Sequence, residues 1–232
     1  MARLLVSAAG LAPGAPLDAA VRCCDALDAR RVPLTLLVGP RPHPEVAAFA
    51  AARRRAGDAV LLRGTREAHD GGRPYRRLPL LEARLRLAGA LRSAETLGLA
   101  VDGFAAPGWA ASAGTRRALA EAGLDLLLDD AGVHRLGPDG VRTTGVAGPV
   151  VRPGQPASFP GVRLGRRRVV EPALRHLTVD VATGVRPLVE AVDEALAADA
   201  IPAVPAALVG PAGRRPRRPD AVVDPELWST TA

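Results

Sequence analysis

The sequence predicts an α/β fold built on a parallel sheet of about seven strands, fewer than the eight that close a TIM barrel. Three observations predict it. Short apolar runs are continuous rather than alternating, as in strands covered on both faces. Longer amphipathic stretches follow most of them, giving a βα series. Gly and Pro cluster at the junctions and divide the series into units.

Taken in order, Arg3 to Ala8 reads as a strand and Pro16 to Arg30 as a helix with Leu17, Ala20, Val21, Cys24 and Leu27 on one face. Val32 to Val38 is a buried strand stopped by Gly39-Pro40, Pro44 to Ala56 a helix, and Asp58 to Leu62 the third strand. Leu78 to Leu97 is a long helix, Leu99 to Phe104 the fourth strand, Ser112 to Ala122 a helix and Leu124 to Leu128 the fifth strand. Between Val133 and Arg167 the pattern loosens into segments broken by Gly and Pro, read as hairpins and an irregular insertion. Regularity returns with Leu174 to Val181 as a strand, Val185 to Ala198 as a helix and Ile201 to Val204 as a last short strand.

No linker interrupts the middle of the 232 residues, so one domain over residues 1–209 is expected, followed by a Pro- and Arg-rich tail over 210–232 expected to be disordered. Aromatic residues make up only 3% of the chain, which predicts an aliphatic core of Ala, Leu and Val. The net charge is +7, and a basic balance points first to nucleic acid. All 31 basic residues are Arg, however, with no Lys and no Asn in the chain, a bias of GC-rich codon usage. These Arg residues are mixed with Asp and Glu along the helices, as on an ordinary solvated surface. Nucleic acid is therefore not expected as a partner except through the tail run from Arg214 to Pro219.

Cys23 and Cys24 are neighbours on a helix, where successive side chains diverge by about 100°, so a structural disulfide is not expected. No stretch reaches the ~18 apolar residues of a membrane span, and the first residues lack a signal-peptide pattern, which points to the cytoplasm. There is no GxSxG elbow, Walker A loop or CxxC motif.

Four stretches together resemble the polysaccharide deacetylase-like (NodB-homology) superfamily, in a motif-degenerate branch from GC-rich bacteria. The first is Leu4 to Gly10, with Leu27 to Val38 after one helix, similar to the family's first two strands. Gly57 to Glu67 looks like the strand and loop where the family carries a His-x-x-x-His metal motif. Gly103-Phe104-Ala105-Ala106-Pro107-Gly108-Trp109 is similar to its Arg-x-Pro-aromatic segment. Leu174 to Val181 and the helix after it look like the closing strand and helix. The resemblance implies an incomplete parallel (β/α) barrel. It also implies a divalent metal held by one Asp and two His, which activates water toward an acetyl carbonyl, with a second Asp as base and a late His as acid.

Those residues are missing at the matching positions. Ser7, Ala8, Ala9 and Gly10 stand where the carboxylates are expected, Arg63 and Glu67 where the two His are expected, and Ala105 where the Arg that orients the base is expected. A guanidinium cannot ligate, and about 4 Å from a divalent ion it costs on the order of 8 kcal/mol at an effective dielectric of 20. Only His176 could stand in for the late His, and a hydrogen-bonded structural role is the plainer reading of it. The expectation is a non-catalytic relative that binds a saccharide, another small ligand or a partner, with no metal cofactor, no assigned catalytic residue, and Arg63, Glu67, His69, Trp109 and Asp130 around the pocket. Trp109 could offer a sugar-stacking face or simply close the barrel mouth. Arg63 and Glu67, four apart, are expected to form an ion pair in place of the metal. His43 and His134 are expected to be exposed. The alternative is a metal-dependent amide or ester hydrolase rebuilt from Glu67, His69 and Asp130, with Asp129 and Asp130 on a loop at the carboxyl end of the sheet.

Overall fold

The computed structural model describes residues 1–64, 74–148, 150–153 and 173–210. Its first half alternates strand and helix: β1 (Arg3–Ala9), α1 (Ala15–Asp28), β2 (Leu34–Val38), α2 (Pro44–Arg55), β3 (Ala59–Arg63), α3 (Leu80–Thr96), β4 (Gly103–Ala105), α4 (Ala113–Glu121) and β5 (Leu126–Asp129). A hairpin follows, β6 (Gly132–Leu136) and β7 (Arg142–Ala147), then the short β8 (Val150–Val151). The chain closes with β9 (Leu174–Asp180), α5 (Arg186–Ala197), β10 (Ile201–Pro202) and α6 (Pro205–Val209).

One sheet holds all ten strands in the order β7-β6-β5-β4-β3-β2-β1-β9-β8, with β10 paired to the start of β1. Every pairing is parallel except β5 with β6 and β6 with β7. The strands at the two ends of that order, β7 and β8, are joined by residues 148 and 149 alone. Three Cα steps reach at most about 11 Å, so chain connectivity draws the sheet's two edges together into an incomplete barrel. The seven parallel strands expected are all present, and β8 adds an eighth.

Alternation along each strand separates two packing layers. Leu4, Val6 and Ala8 of β1 face outward with Leu34, Leu36 and Val38 of β2, and pack under Ala20, Cys24 and Leu27 of α1 and Leu188 of α5. Leu5 and Ala9 face inward with Leu37, Leu61, Ala105, Leu126, Leu128 and Leu174, where Trp109 and the partly buried Leu208 and Val209 of α6 join them. A second outer cluster sets Leu62, Phe104 and Leu127 against α3 and α4. Each fully buried Leu contributes about 1.5–3 kcal/mol, so an almost purely aliphatic core is sufficient. Cys23 and Cys24 are both free and buried, and burial first among the causes pushes their thiols up to about 11 and about 12.

Four strands, β2 to β5, start later than their apolar runs predict, and a carboxylate explains two of them, β3 and β4. Asp58 is not the first residue of β3: its side chain accepts from Leu34 N–H at 2.8 Å and pairs with Arg53 at 2.6 Å, tying the start of β2 to α2. Asp102 accepts from Val60 N–H at 2.8 Å, taking a donor that a ladder carbonyl would otherwise use, so β4 shrinks from the expected Leu99 to Phe104 to Gly103–Ala105. Gly103 is required there, because a Cβ would lie 2.5 Å from Leu126 O. The helix α6 and the strand β8 have no counterpart in the sequence reading, both being too short to show a period. The tail beyond Gly210 lies outside the described residues. No helix among the described residues is long and apolar enough to cross a membrane.

Candidate functional site at the barrel mouth

The parallel strands β1, β3, β4, β5 and β9 bring Ala9, Arg63, Ala105, Asp130 and Asp180 to one end of the barrel, the end where parallel α/β folds carry their chemistry. Arg63 closes β3, half-buried, with its guanidinium 5.6 Å from the centre of the Trp109 ring. Such a contact contributes about 0.5–2 kcal/mol depending on its desolvation. Trp109 O accepts from Asp130 N–H at 2.8 Å, so three of the five residues expected around a pocket do meet. Asp130 is exposed. Glu67 and His69, and with Glu67 the expected pair to Arg63, lie outside the described residues.

Trp109 is 7% exposed, so in this conformation it closes the mouth rather than offering a stacking face. Its backbone is left-handed at φ 58°, directly after Gly108 at φ 60°. That conformation is unfavourable for a bulky residue by about 1–2 kcal/mol, and burial of the indole inside the barrel offsets it.

Beneath Trp109 the mostly apolar barrel interior holds one polar group, a feature that the apolar run of β1 does not announce. Register places Ser7 beside Thr178 on one neighbouring strand and Thr35 on the other. Ser7 Oγ lies 2.8 Å from His176 Nε2 and donates to Thr178 Oγ1 at 3.0 Å. With its one hydroxyl proton given to Thr178, Ser7 accepts from His176, which assigns the imidazole proton to Nε2 and leaves Nδ1 with a lone pair. Burial pushes the His176 pKa down to about 3, so the ring is neutral at physiological pH. The Trp109 ring meets it edge-on at 5.1 Å. Among the described residues, His176 Nδ1, Trp109 Nε1 and Thr35 Oγ1 are buried without a hydrogen-bond partner. Both members of the Ser7–His176 pair are fully buried.

At the described positions where the resemblance expects the catalytic groups the side chains do not suit a metal, while Asp130 and Asp180 bring carboxylates to the same end. Ala9 and Ala105 present methyl groups and Arg63 a cation. Among the described residues no group of three or more His, Cys, Asp or Glu is placed to hold an ion.

Two expectations require correction. His134 is 8% exposed rather than solvent-facing: the β5–β6 hairpin sets it opposite Leu127, where its Nε2 donates to Asp129 Oδ1 at 3.1 Å. Asp129 is not a rim loop residue but the last residue of β5, 1% exposed and turned to the outer face by the alternation that turns Leu126 and Leu128 inward. His43 is exposed, as expected.

No family model matches this chain, and no curated protein does. Solved structures do. A family 4 carbohydrate esterase from Streptomyces lividans, in complex with acetate, aligns with 92% of this chain and 97% of its own at a TM-score of 0.53 and 10% identity. A protein assigned as a polysaccharide deacetylase, from Mycobacterium smegmatis, aligns with 88% of this chain and 83% of its own at 0.52 and 18% identity. The chain spans about half the length of two further matches, T48 deacetylase with substrate (55%) and a mutant of BA3943, a CE4 family pseudoenzyme with restored enzymatic activity (45%), at TM-scores of 0.39 and 0.44. The fold is thus the deacetylase (β/α) barrel of the family 4 carbohydrate esterases, and at these identities the likeness establishes the fold alone.

Proposed function

We propose that this chain is a deacetylase-fold protein that has given up metal-dependent hydrolysis and binds a ligand at the barrel mouth, a saccharide being the first class to test. The donor set carries this reading. Where the resemblance expects carboxylate, imidazole and guanidinium in their catalytic places, the described residues supply Ala9, Arg63 and Ala105. Arg63 and the exposed Asp130 put charge at the mouth, and movement of Trp109 would uncover the polar group behind it.

Elemental analysis of the purified protein, with melting curves on addition of zinc, manganese or cobalt, tests the loss of metal chemistry. Substoichiometric metal and unchanged melting are expected. Near-stoichiometric metal that disappears in Glu67→Ala or His69→Ala would overturn the reading in favour of a hydrolase rebuilt around Glu67, His69 and Asp130. A saccharide panel read by the same melting assay tests the ligand, since a binder at a hundredfold excess over its Kd stabilises by about 2.7 kcal/mol. No shift with any sugar would remove saccharides as the ligand class.

A further inference from the structure

Three residues other than glycine are left-handed among the described ones, Arg31, Trp109 and Asp199. Arg31 and Asp199 are exposed and lie in the turns that follow α1 and α5. Trp109 is different: it is bulky and buried, it lies between β4 and α4, and it comes directly after a left-handed glycine, Gly108. A large side chain resists that backbone, and such strain persists only where surrounding contacts fix it.

Some of those contacts come from the rim itself. The Trp109 N–H donates to Ala106 O at 2.8 Å, and its carbonyl accepts from the N–H of the exposed Asp130, also at 2.8 Å. The half-buried Arg63 places its guanidinium 5.6 Å from the ring centre. Water can reach both rim residues and take over what they supply. On its inner side the indole meets the fully buried His176 edge-on at 5.1 Å. At the opposite end of the barrel, where β10 pairs with the start of β1, α6 packs Leu208 and Val209 against the same inner layer. Among the described elements, the Trp109 end is therefore the way in to His176.

We propose that Trp109 is a gate, hinged at Gly108 and latched by Arg63, whose opening brings His176 into contact with the barrel mouth. The proposal rests on the reading of that mouth as a binding site. Closed, the indole covers His176 and hides its own stacking face. On opening, the Trp109 backbone leaves the left-handed region and its rim hydrogen bonds pass to water. The relief of strain partly offsets the exposure of the indole, which keeps the open state within reach. The open mouth then presents an indole face beside His176 and Ser7, and the affinity for any ligand held there is lowered by the fraction of molecules that are closed.

Labelling of the full chain with diethylpyrocarbonate, which acylates accessible neutral imidazoles, tests the gate without any ligand. Cleavage after Arg175 separates His176 from His43, His69 and His134, so mass spectrometry reads its modification alone. In the parent, His176 is expected to label slowly, at a rate that stays flat with urea below the unfolding transition, as a local opening does. Arg63→Ala is expected to raise that rate by roughly threefold or more through loss of the ring contact, and Trp109→Ala by more still. In Trp228→Phe, which leaves Trp109 as the single tryptophan, acrylamide quenching is expected to be weak and to strengthen when Arg63→Ala is added. Labelling that rises with urea in step with global unfolding would overturn the gate. So would unchanged labelling in folded Trp109→Ala, or Arg63→Ala without effect on labelling and quenching. None of these results bears on the saccharide panel, and a panel without a hit leaves the labelling result standing, so the gate and the ligand reading fail separately.

Discussion

Two histidines on the same sheet have been given opposite surroundings. His176 on β9 points into the barrel with Ser7 and the edge of Trp109 as neighbours, and its Nδ1 has no partner among the described residues. His134 on β6 points outward with the buried Asp129 carboxylate on its Nε2 and the backbone of Gly145 against its Nδ1. Burial without a counter-charge drives an imidazole to its neutral form and costs stability as the medium turns acid. Burial beside an ionised carboxylate instead gives one ring nitrogen a charged hydrogen-bond partner. The carboxylate, more than the burial, separates the surroundings of the two rings.

Removing the carboxylate breaks that contrast most severely. Asp129→Ala strands the imidazole N–H and the Arg142 guanidinium, and is expected to cost about 3 kcal/mol, the low end for a broken buried pair because Arg142 can still reach water. Urea unfolding checks this, and a loss within the error of an ordinary surface substitution would show that Asp129 organises nothing.

The next effect sharpens the other side. The His176 pKa is depressed in the folded chain to about 3, against about 6.5 unfolded. The unfolded state therefore binds the extra proton first as pH falls. The stability is intact above about pH 6.5 and is lost at up to about 1.4 kcal/mol per pH unit on the way down toward the folded value. Unfolding curves of the parent and His176→Leu between pH 7 and about 4.5 should diverge in slope, with the variant flatter. Parallel curves would mean that the ring is protonated or solvated in the native state.

The smallest expected change is at Ser7. Ser7→Ala removes the acceptor of His176 and the donor to Thr178, at a cost of about 1–2 kcal/mol. Because the ring stays buried and without a counter-charge, the acid-side slope should persist in this variant. A slope that vanishes with Ser7 would shift the explanation from burial to the hydroxyl.

Much of the barrel is legible from sequence because a βα repeat imposes both a period and a length. The runs at Leu4 to Ala8, Leu34 to Val38 and Ala59 to Leu62 are apolar on both faces, as strands between an inner and an outer layer must be. The boundaries were less legible, since Asp58 and Asp102 compete for backbone N–H groups through side chains whose reach depends on neighbouring elements. At the mouth, Arg63 and Trp109 stood out because each closes or follows a strand. Ser7, Thr35 and Thr178 did not. They are small polar residues inside apolar runs, and only register across three strands gathers them.

Asp129 and Asp130 mark the same boundary between what can be read and what must be folded. Adjacent in sequence and identical in chemistry, they both read as rim residues, yet one is buried under the hairpin and the other is exposed at the mouth. The sequence by itself determined the βα order and the aliphatic core, because these depend on residue identity and local periodicity. Which face each polar residue takes, which histidine acquires a carboxylate and what fills the barrel were decided only in the tertiary structure. Those outcomes depend on strand register, and a shift of one residue exchanges inside for outside.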